Sequence, residues 1–184
     1  MTELPKVSII TPSYNQGKFI EETILSVLNQ DYANIGYIII DGGSTDNTID
    51  IIKKYQHRLA YWISEPDNGQ SNVINKGFQR ANGQIFNWLN SDDILVPLSV
   101  KIAVDYLVKN ADVGMIYGDR IIIDHKGNFL SHIRFSSFRK FEMIYNQQIP
   151  EETAFFRRYV WSKVGGLDET LHYCMDYDLW CKFN

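Results

Sequence analysis

Two adjacent carboxylates that follow a predicted strand carry the clearest chemical signal in this sequence. The apolar run at 85–89 has the length of a buried strand, and Asn90-Ser91-Asp92-Asp93 follows it directly. Carboxylates at the exit of a buried strand are costly to place unless a cation meets them. In an open α/β sheet, ligands bind in the crevice at the carboxyl ends of the strands. The pattern therefore indicates a divalent metal that carries a phosphorylated ligand, although these residues alone fit a solvated loop equally well.

Three other loops of the first half are also polar, and two of them contain glycine. They span 11–15, 41–46 and 65–69, and each follows a predicted strand. The carboxyl ends of parallel strands lie at the same edge of a sheet, so the side chains of these loops and of 90–93 are expected to converge there. One polar loop is uninformative, but carboxylates in three of the four loops favour a shared ligand site.

A regular alternation of strands and helices positions these loops. Strands are predicted at 7–11, 37–40, 59–63 and 85–89, and helices at 18–29, from the caps in 44–47 to Tyr55, at 70–81 and after Pro97. From Val113 the pattern changes to strands at 115–117, 121–123 and 153–156, a hairpin turn at 124–128 leading into 129–135, and helices at 138–145 and 159–164. We expect one α/β domain, with a mostly parallel central sheet, helices on both faces and a mixed second half.

The composition excludes several functional classes. The chain has 184 residues, enough for one domain with a sizeable core, and a formal net charge of -4. No basic stripe stands out, which argues against a nucleic-acid binder, and no run of about 18 apolar residues predicts a membrane span. Cys174 and Cys181 would lie roughly 10 Å apart on one helix, too far for a disulfide. A reducing, cytoplasmic setting is the simplest inference.

A nucleotide would fit the predicted rim of loops. Tyr14 offers a flat face for a base, and Asp41 can accept hydrogen bonds from a base N–H or a sugar hydroxyl. Gly42 and Gly43 would let the backbone approach a ligand closely. The same residues, with Ser44, also fit an ordinary turn that caps a helix. We predict a cap at this point and a ligand contact for Asp41.

The phosphates of such a nucleotide need a partner other than a glycine-rich cradle. Neither the dinucleotide fingerprint nor the P-loop pattern is present. Magnesium or manganese held by one or two carboxylates together with phosphate oxygens is the usual alternative. Successive side chains at a strand end point to opposite sides. One of Asp92 and Asp93 can therefore bind the metal while the other accepts a ribose hydroxyl.

A second acidic cluster lies near the C-terminus, within 175–180. Leu179 and Trp180 are expected to anchor a helix in the core, with Asp176 in its first turn. An aspartate there is favoured by the helix dipole and can be a simple cap. It can equally be a general base at the acceptor side of the crevice. His172 lies close enough in sequence to line the same site.

Taken in order, these segments resemble the family-two, inverting glycosyltransferases with the GT-A fold, over essentially the whole chain. Each motif is only moderately specific, but the five occur in the order found in that family. The matching segments are 7–15 for the opening strand and base-binding loop, 40–46 for the second loop, 75–77 for the helix near the diphosphate, 90–93 for the metal and ribose carboxylates, and 165–169 with 176–180 for the catalytic base.

The resemblance implies a role for each site residue. Asp93 would bind Mn²⁺ or Mg²⁺, and Asp176 would deprotonate the acceptor hydroxyl. The remaining nucleotide-binding residues implied by it are Thr11, Pro12, Tyr14, Asp41, Asp67 and Asn75, with Asp92 on the ribose. Residues 1–110 would form the nucleotide-binding half and 111–184 the acceptor-side half of a single domain.

The resemblance also implies partners. The donor would be a nucleoside-diphosphate sugar and the acceptor a saccharide or glycolipid, in polysaccharide or glycolipid assembly at the cytoplasmic face of the membrane. Family members usually continue beyond the point where this chain stops, so a truncated chain is expected. The missing part would complete the acceptor side, and the resemblance implies a peripheral membrane contact of the full-length protein.

Two departures and two alternatives qualify this interpretation. Many family members carry an acidic residue where Gly42 stands, and most carry one where Met175 precedes Asp176. A non-catalytic nucleotide-sugar binding fragment would share the donor loops. A sugar-phosphate nucleotidyltransferase is less well supported, because residues 12–15 lack the glycine- and arginine-rich loop that a triphosphate requires.

Overall fold

The computed structural model of the chain describes residues 4–136 and 149–183. Its main sheet has six strands in the order β3-β2-β1-β4-β8-β5, and a separate ribbon pairs β6 with β7. The strands are β1 (Val7–Ser13), β2 (Ile35–Asp41), β3 (Tyr61–Ser64), β4 (Ile85–Trp88), β5 (Met115–Ile116), β6 (Arg120–Ile123), β7 (Phe129–Ile133) and β8 (Phe155–Arg157). The helices are α1 (Ile20–Leu28), α2 (Thr48–Tyr55), α3 (Gln70–Arg80), α4 (Ser99–Lys109), α5 (Arg158–Val164) and α6 (Met175–Lys182).

The predicted parallel first half is confirmed. The strands β3, β2, β1 and β4 run parallel, and β1 pairs with β2 along its whole length. Their registers bring Ser13, Asp41 and Ser64 side by side at the carboxyl ends of three neighbouring strands. The loops after these strands therefore leave the sheet at one edge, as the sequence predicts.

Helices cover both faces of the sheet because each strand of the first half is apolar on both sides. One core cluster joins the sheet to α1, α2 and α4, and the other joins it to α3 and α6. In β2, for example, Tyr37 and Ile39 belong to the first cluster, whereas Ile38 and Ile40 belong to the second. This alternation is the period of two that a strand imposes.

The second half is mixed, as predicted. β8 lies antiparallel to both β4 and β5, and the turn between β6 and β7 closes at Asp124 and Gly127. The predicted start of β8 at Thr153 is wrong, because Glu151–Thr153 form a short 3₁₀ turn and the strand begins at Phe155. The predicted helix at 138–145 lies outside the described residues.

An aromatic cluster fixes the last helix to the sheet. The rings of Trp88 in β4 and Trp180 in α6 stack with centroids 5.4 Å apart and an interplanar angle of 11°. Phe156 of β8 packs against both rings at 6.0 Å. Because aromatic pairs contribute beyond the area they bury, this cluster sets the position of α6, which carries Asp176.

The helices of the described segments are all short. Among them, none has both the length and the apolar character needed to cross a membrane. Cys174 and Cys181 are free thiols on the surface.

Candidate functional site

Asp41 ends β2 at the centre of the rim and is completely buried. One carboxylate oxygen accepts bonds from the backbone N–H groups of Gly43 and Ser44, at 3.1 and 2.9 Å, and from the Ser64 hydroxyl at 2.6 Å. The other accepts the Ser44 hydroxyl at 2.5 Å. The carboxylate thus holds its own loop against β3. Asp41 is enclosed by these contacts, and its predicted nucleobase contact stays a prediction.

Replacing Asp41 by alanine should therefore destabilise the protein strongly. The change leaves two hydroxyls and two backbone N–H groups without their acceptor, and each buried unsatisfied group costs about 1–3 kcal/mol. We expect a loss of roughly 3–5 kcal/mol in the free energy of unfolding, measured by urea titration. Asp50→Ala on the exposed surface of α2 is the matched control, with a loss below about 1 kcal/mol. Equal losses in the two variants would contradict the anchoring role.

Thr11 and Pro12 lie within β1 and are buried, whereas Tyr14 lies beyond its end and is 60% exposed. The Thr11 hydroxyl is 2.9 Å from the hydroxyl of Tyr37 in the core. Thr11 and Pro12 therefore support the loop from beneath, and Tyr14 is the ring of this segment that a ligand can reach. Their predicted places in a base pocket remain predictions.

Asp67 lies in the loop between β3 and α3, against the rim at Gly42. Its Oδ1 accepts the backbone N–H of Gly69 at 2.7 Å. The side chain is half-buried. Its Oδ2 occupies the space that a Cβ on Gly42 would take. Asp67 and Tyr14 thus border the same glycine from different loops.

The loop after β4 places Asp92 in solvent and Asp93 half-buried. The backbone carbonyl of Asp93 accepts the Thr23 hydroxyl at 2.8 Å, which ties this loop to α1. Burial, together with the negative charges of Asp92 and Glu151, raises the pKa of Asp93 from 3.8 to about 6. A carboxylate whose charge is so disfavoured is one that a bound cation would stabilise.

Glu151 and Glu152 lie near Asp92 and Asp93, and these four residues form an acidic corner of the rim. Sequence reasoning missed the two glutamates. Burial, then the charge of Glu151, raises the pKa of Glu152 to about 7. The Nε of Arg120 lies 3.6 Å from Oε1 of Glu152, and Arg120 also lowers the pKa of both Asp93 and Glu152. Because β8 runs antiparallel to β4, residues just before β8 lie at the edge where β4 ends. The available signal was a pair of carboxylates before a predicted strand. The sequence does not show the direction of that strand, which is what places the pair beside Asp93.

Side-chain hydrogen bonds join the acidic corner to the donor-side loops. The Gln70 amide donates to Oδ1 of Asn90 at 2.7 Å, and the Asn90 amide donates to Glu151 at 3.2 Å. These three residues belong to the start of α3, the loop after β4 and the turn before β8. The rim is therefore a connected surface.

The side chains that the structure describes do not by themselves form a complete metal site. In 4–136 and 149–183, no three His, Cys, Asp or Glu side chains converge as metal ligands. The acidic corner still fits a hard divalent cation, which takes oxygen ligands and commonly uses one or two carboxylates together with substrate phosphates. Asp93 is the residue that would hold it.

Asp176 lies in the first turn of α6, half-buried. The adjacent Met175 accepts a hydrogen bond from the Ser71 hydroxyl at its sulfur, at 2.8 Å. A cavity of about 40 Å³ separates this turn from the loop before α3, and its lining includes Gly69, His172 and Met175. The first turn of α6 therefore borders the loop that carries Asp67, and His172 lies beside it.

Asn75, in the middle of α3, is bonded to the segment before α6. Its amide donates to the carbonyl of Leu167 and to Glu169, both at 2.9 Å, and its Oδ1 accepts the Leu167 N–H at 3.0 Å. These bonds hold the 167–169 segment on α3. The predicted nucleotide contact of Asn75 remains a prediction.

A larger cavity of about 380 Å³ opens at the opposite edge of the sheet, where β2 begins. Val27, Tyr32, Ile35 and Arg58 are among the residues that line it. None of the predicted site residues belongs to it. The candidate site is an open rim, and this cavity is separate from it.

The comparison with known families decides the family of this chain. A family profile described as "Glycosyl transferase family 2" matches residues 8–163. The chain belongs to glycosyl transferase family 2. This family 2 chain is 33% identical over 192 residues to an uncharacterized glycosyltransferase of Rickettsia typhi, covering 99% of the chain and 59% of that protein. It thus spans about three fifths of that relative's length.

Solved structures confirm the predicted GT-A fold of the family 2 chain. The mannosyltransferase PcManGT from Pyrobaculum calidifontis, in complex with GDP-Man and Mn²⁺, aligns with a TM-score of 0.74 and 21% identity, covering 99% of this chain and 52% of that one. S. aureus TarS 1–349 in complex with UDP aligns with a TM-score of 0.74 and 20% identity, covering 95% and 53%. At these identities the likeness establishes the fold.

Proposed function

We propose that this chain is the donor-binding and catalytic part of a metal-assisted, inverting glycosyltransferase. It would transfer a sugar from a nucleoside diphosphate to an acceptor hydroxyl. The observation that carries the proposal is the acidic corner of Asp92, Asp93, Glu151 and Glu152 at the carboxyl edge of a family 2 sheet. A structural neighbour with GDP-Man and Mn²⁺ supports the choice of donor and metal.

The residues divide the reaction between them. Tyr14 and Asp67 bind the base, Asp92 binds the ribose, and Asp93 would hold Mn²⁺ or Mg²⁺. When bound, such a cation would supply positive charge that offsets the negative charge developing on the departing diphosphate. Asp176 takes the proton of the acceptor hydroxyl as its oxygen bonds to the anomeric carbon. The bond from that carbon to the diphosphate oxygen breaks on the opposite face, which inverts the centre.

The acceptor side is formed by residues after 110. There the β6–β7 ribbon exposes Ile121, Phe129 and Leu130, which are at least half accessible. An apolar exposed ribbon of this kind suits a saccharide carried on a lipid. We therefore propose a saccharide or glycolipid acceptor in polysaccharide assembly, with the protein at the cytoplasmic face of a membrane.

A non-catalytic donor-binding fragment is the second candidate, because the chain spans only part of its relatives' length. In such a fragment Tyr14, Asp67 and Asp93 would still bind the donor, whereas Asp176 would have no catalytic role. The two functions give the same donor binding and differ in transfer. Nothing in the rim favours a nucleotidyltransferase over these.

A thermal-shift screen of nucleoside diphosphates, with and without Mn²⁺, tests the proposal. A ligand that binds only the folded state at 100 times its Kd adds about 2.7 kcal/mol, which raises the Tm of a chain of this size by roughly 5–10 °C. We expect this rise with Mn²⁺ and a smaller one in EDTA. Inorganic pyrophosphate with Mn²⁺ is the control for phosphate binding alone. No rise with any nucleoside diphosphate would exclude the proposed donor.

A further inference from the structure

An apolar row lies on the outer side of α4. Leu98, Ile102 and Tyr106 follow one another at intervals of four residues, so they share one side of the helix. They are 43%, 64% and 51% exposed, respectively. The opposite side of α4 is buried against the sheet. A contiguous row of exposed apolar side chains, unlike a single one, is typical of an interaction surface.

A charged row runs beside the apolar row. Lys101 and Asp105 are also four residues apart, and their side chains pair at 3.0 Å. Because a helix turns by about 100° per residue, this row lies next to the apolar row on the helix surface. A partner for the outer side of α4 therefore needs an apolar row, together with one charge of each sign at the matching positions.

Leu98 begins the apolar row in a backbone conformation that is unfavourable for leucine. Its φ of 71° lies in the left-handed region, where the Cβ of any residue other than glycine is crowded. Within one protomer its exposed side chain gains little burial in exchange. Strain of this kind is concentrated at functional and binding sites.

We propose that the outer side of α4 is a homodimer interface, in which α4 packs antiparallel against α4 of a second copy of this chain. A two-fold axis beside Ala103 makes the charged rows complementary. Lys101 of each protomer then lies opposite Asp105 of its partner, because the two positions are equally far from the axis. The interface does not depend on the proposed function.

The same axis interleaves the apolar rows. Along α4, Leu98 lies five positions before Ala103, Ile102 lies one before and Tyr106 lies three after. In the antiparallel partner the order is reversed, so each apolar side chain faces a gap in the other row. Successive side chains from the two protomers are then two positions apart, or about 3 Å along the axis. Helices pack in this way, with the ridges of one in the grooves of the other. One axis thus satisfies both rows at once.

The dimer is expected to be reversible. The helix has 11 residues and is about 16 Å long, so the contact lies at the small end of specific interfaces. We therefore expect a micromolar Kd, with monomer and dimer exchanging as the protein concentration changes.

Sedimentation equilibrium of the whole chain tests the proposal. The mass should rise from monomer to dimer between low micromolar and millimolar concentration. Asp105→Lys and Lys101→Asp should each weaken the dimer by at least about 10-fold, because two repulsive contacts replace two attractive ones. An equimolar mixture of these two variants should recover the dimer. In a mixed dimer, every contact again joins a lysine to an aspartate.

Three further variants serve as controls. Asp50→Lys makes the same change of charge on the exposed surface of α2 and should leave the dimer unchanged. Ile102→Asp should abolish the dimer and keep the urea midpoint of the monomer, since exposed positions tolerate substitution. Asp105→Asn should have only a small effect, because removing one partner of an exposed ion pair costs little.

The mixture gives the decisive result. Two variants that are monomeric alone and dimeric together would support antiparallel pairing through α4. A protein that stays monomeric at every concentration would overturn the proposal, and another protein or a further part of a longer chain would then cover the row. A dimer that survives Ile102→Asp, or that both charge variants leave intact, would also overturn it.

Discussion

An Asp176→Asn variant is expected to lose sugar transfer by roughly 10²–10⁴-fold, the usual contribution of a general base. Asparagine has nearly the same shape but cannot take the acceptor proton. Asp176 lies in the first turn of α6, and the donor-side loops lie on other elements. Donor affinity should therefore change little. The measurement is product formation under saturating donor, beside a titration of the same donor.

Asp178→Asn is the matched control on the same helix. Asp178 pairs with Lys182 at 2.5 Å, and a partly exposed pair of this kind contributes about 1 kcal/mol or less to stability. Its transfer rate should stay within a few-fold of the unaltered protein. Transfer that survives in Asp176→Asn would remove Asp176 from the mechanism. If the unaltered protein binds the donor but transfers no sugar, the second candidate function, a non-catalytic donor-binding fragment, would be favoured.

An Asp93→Asn variant should lose the effect of Mn²⁺ on donor binding. We expect metal affinity to fall by at least about 100-fold. Loss of a residue that only supports a metal ligand costs up to about 100-fold, and loss of the ligand itself should cost at least as much. The shift in Tm produced by Mn²⁺ with nucleoside diphosphate should then disappear at micromolar metal. If the shift persists, another group holds the metal.

The same variant should be more stable than the unaltered protein at neutral pH in EDTA. The pKa of Asp93 is about 6 in the folded chain against an ordinary 3.8, and that of Glu152 is about 7 against 4.5. The folded state therefore binds more protons than the unfolded state between these values. The contribution of these two groups to stability should therefore fall as pH rises from about 4 to about 7 and stay low above that range.

Removing the charge at 93 should cancel part of this fall. We expect a gain of about 1–3 kcal/mol at pH 7.5 and almost none at pH 4, measured by urea unfolding at both pH values. Asp105→Asn removes an exposed carboxylate that pairs with Lys101, and should alter stability by less than about 1 kcal/mol at either pH. A fall in stability for Asp93→Asn at pH 7.5 would contradict the repulsion at the acidic corner.

The sequence predicts the parallel half of the fold well because its physics is local. Continuous apolar strands such as 37–40 and helices with one apolar face identify themselves by period, and their alternation implies parallel pairing. The predicted start of β8 was wrong because the 3₁₀ turn at Glu151–Thr153 is tied by the Thr153 hydroxyl to the backbone of Gly118, which is distant in sequence and which local pattern does not encode.

The candidate site was less predictable, because its features depend on contacts between distant residues. The four donors around Asp41 come partly from Ser64 on another strand. Glu151 meets Asn90 only because β8 turns back along β4. The approach of Asp67 to Gly42 joins two loops that are separate in sequence. Residue type and spacing located the rim, whereas the partners of each carboxylate required the fold.

The stack of Trp88 on Trp180 links the two ends of the proposed reaction. Trp88 precedes Asp93 by five residues and Trp180 follows Asp176 by four. The same pair of stacked rings therefore sets the spacing between Asp93, which would hold the cation, and Asp176, which would accept the proton. Loops around the rim can diverge to suit new sugars without changing that spacing. A substitution of either tryptophan would instead shift both Asp93 and Asp176.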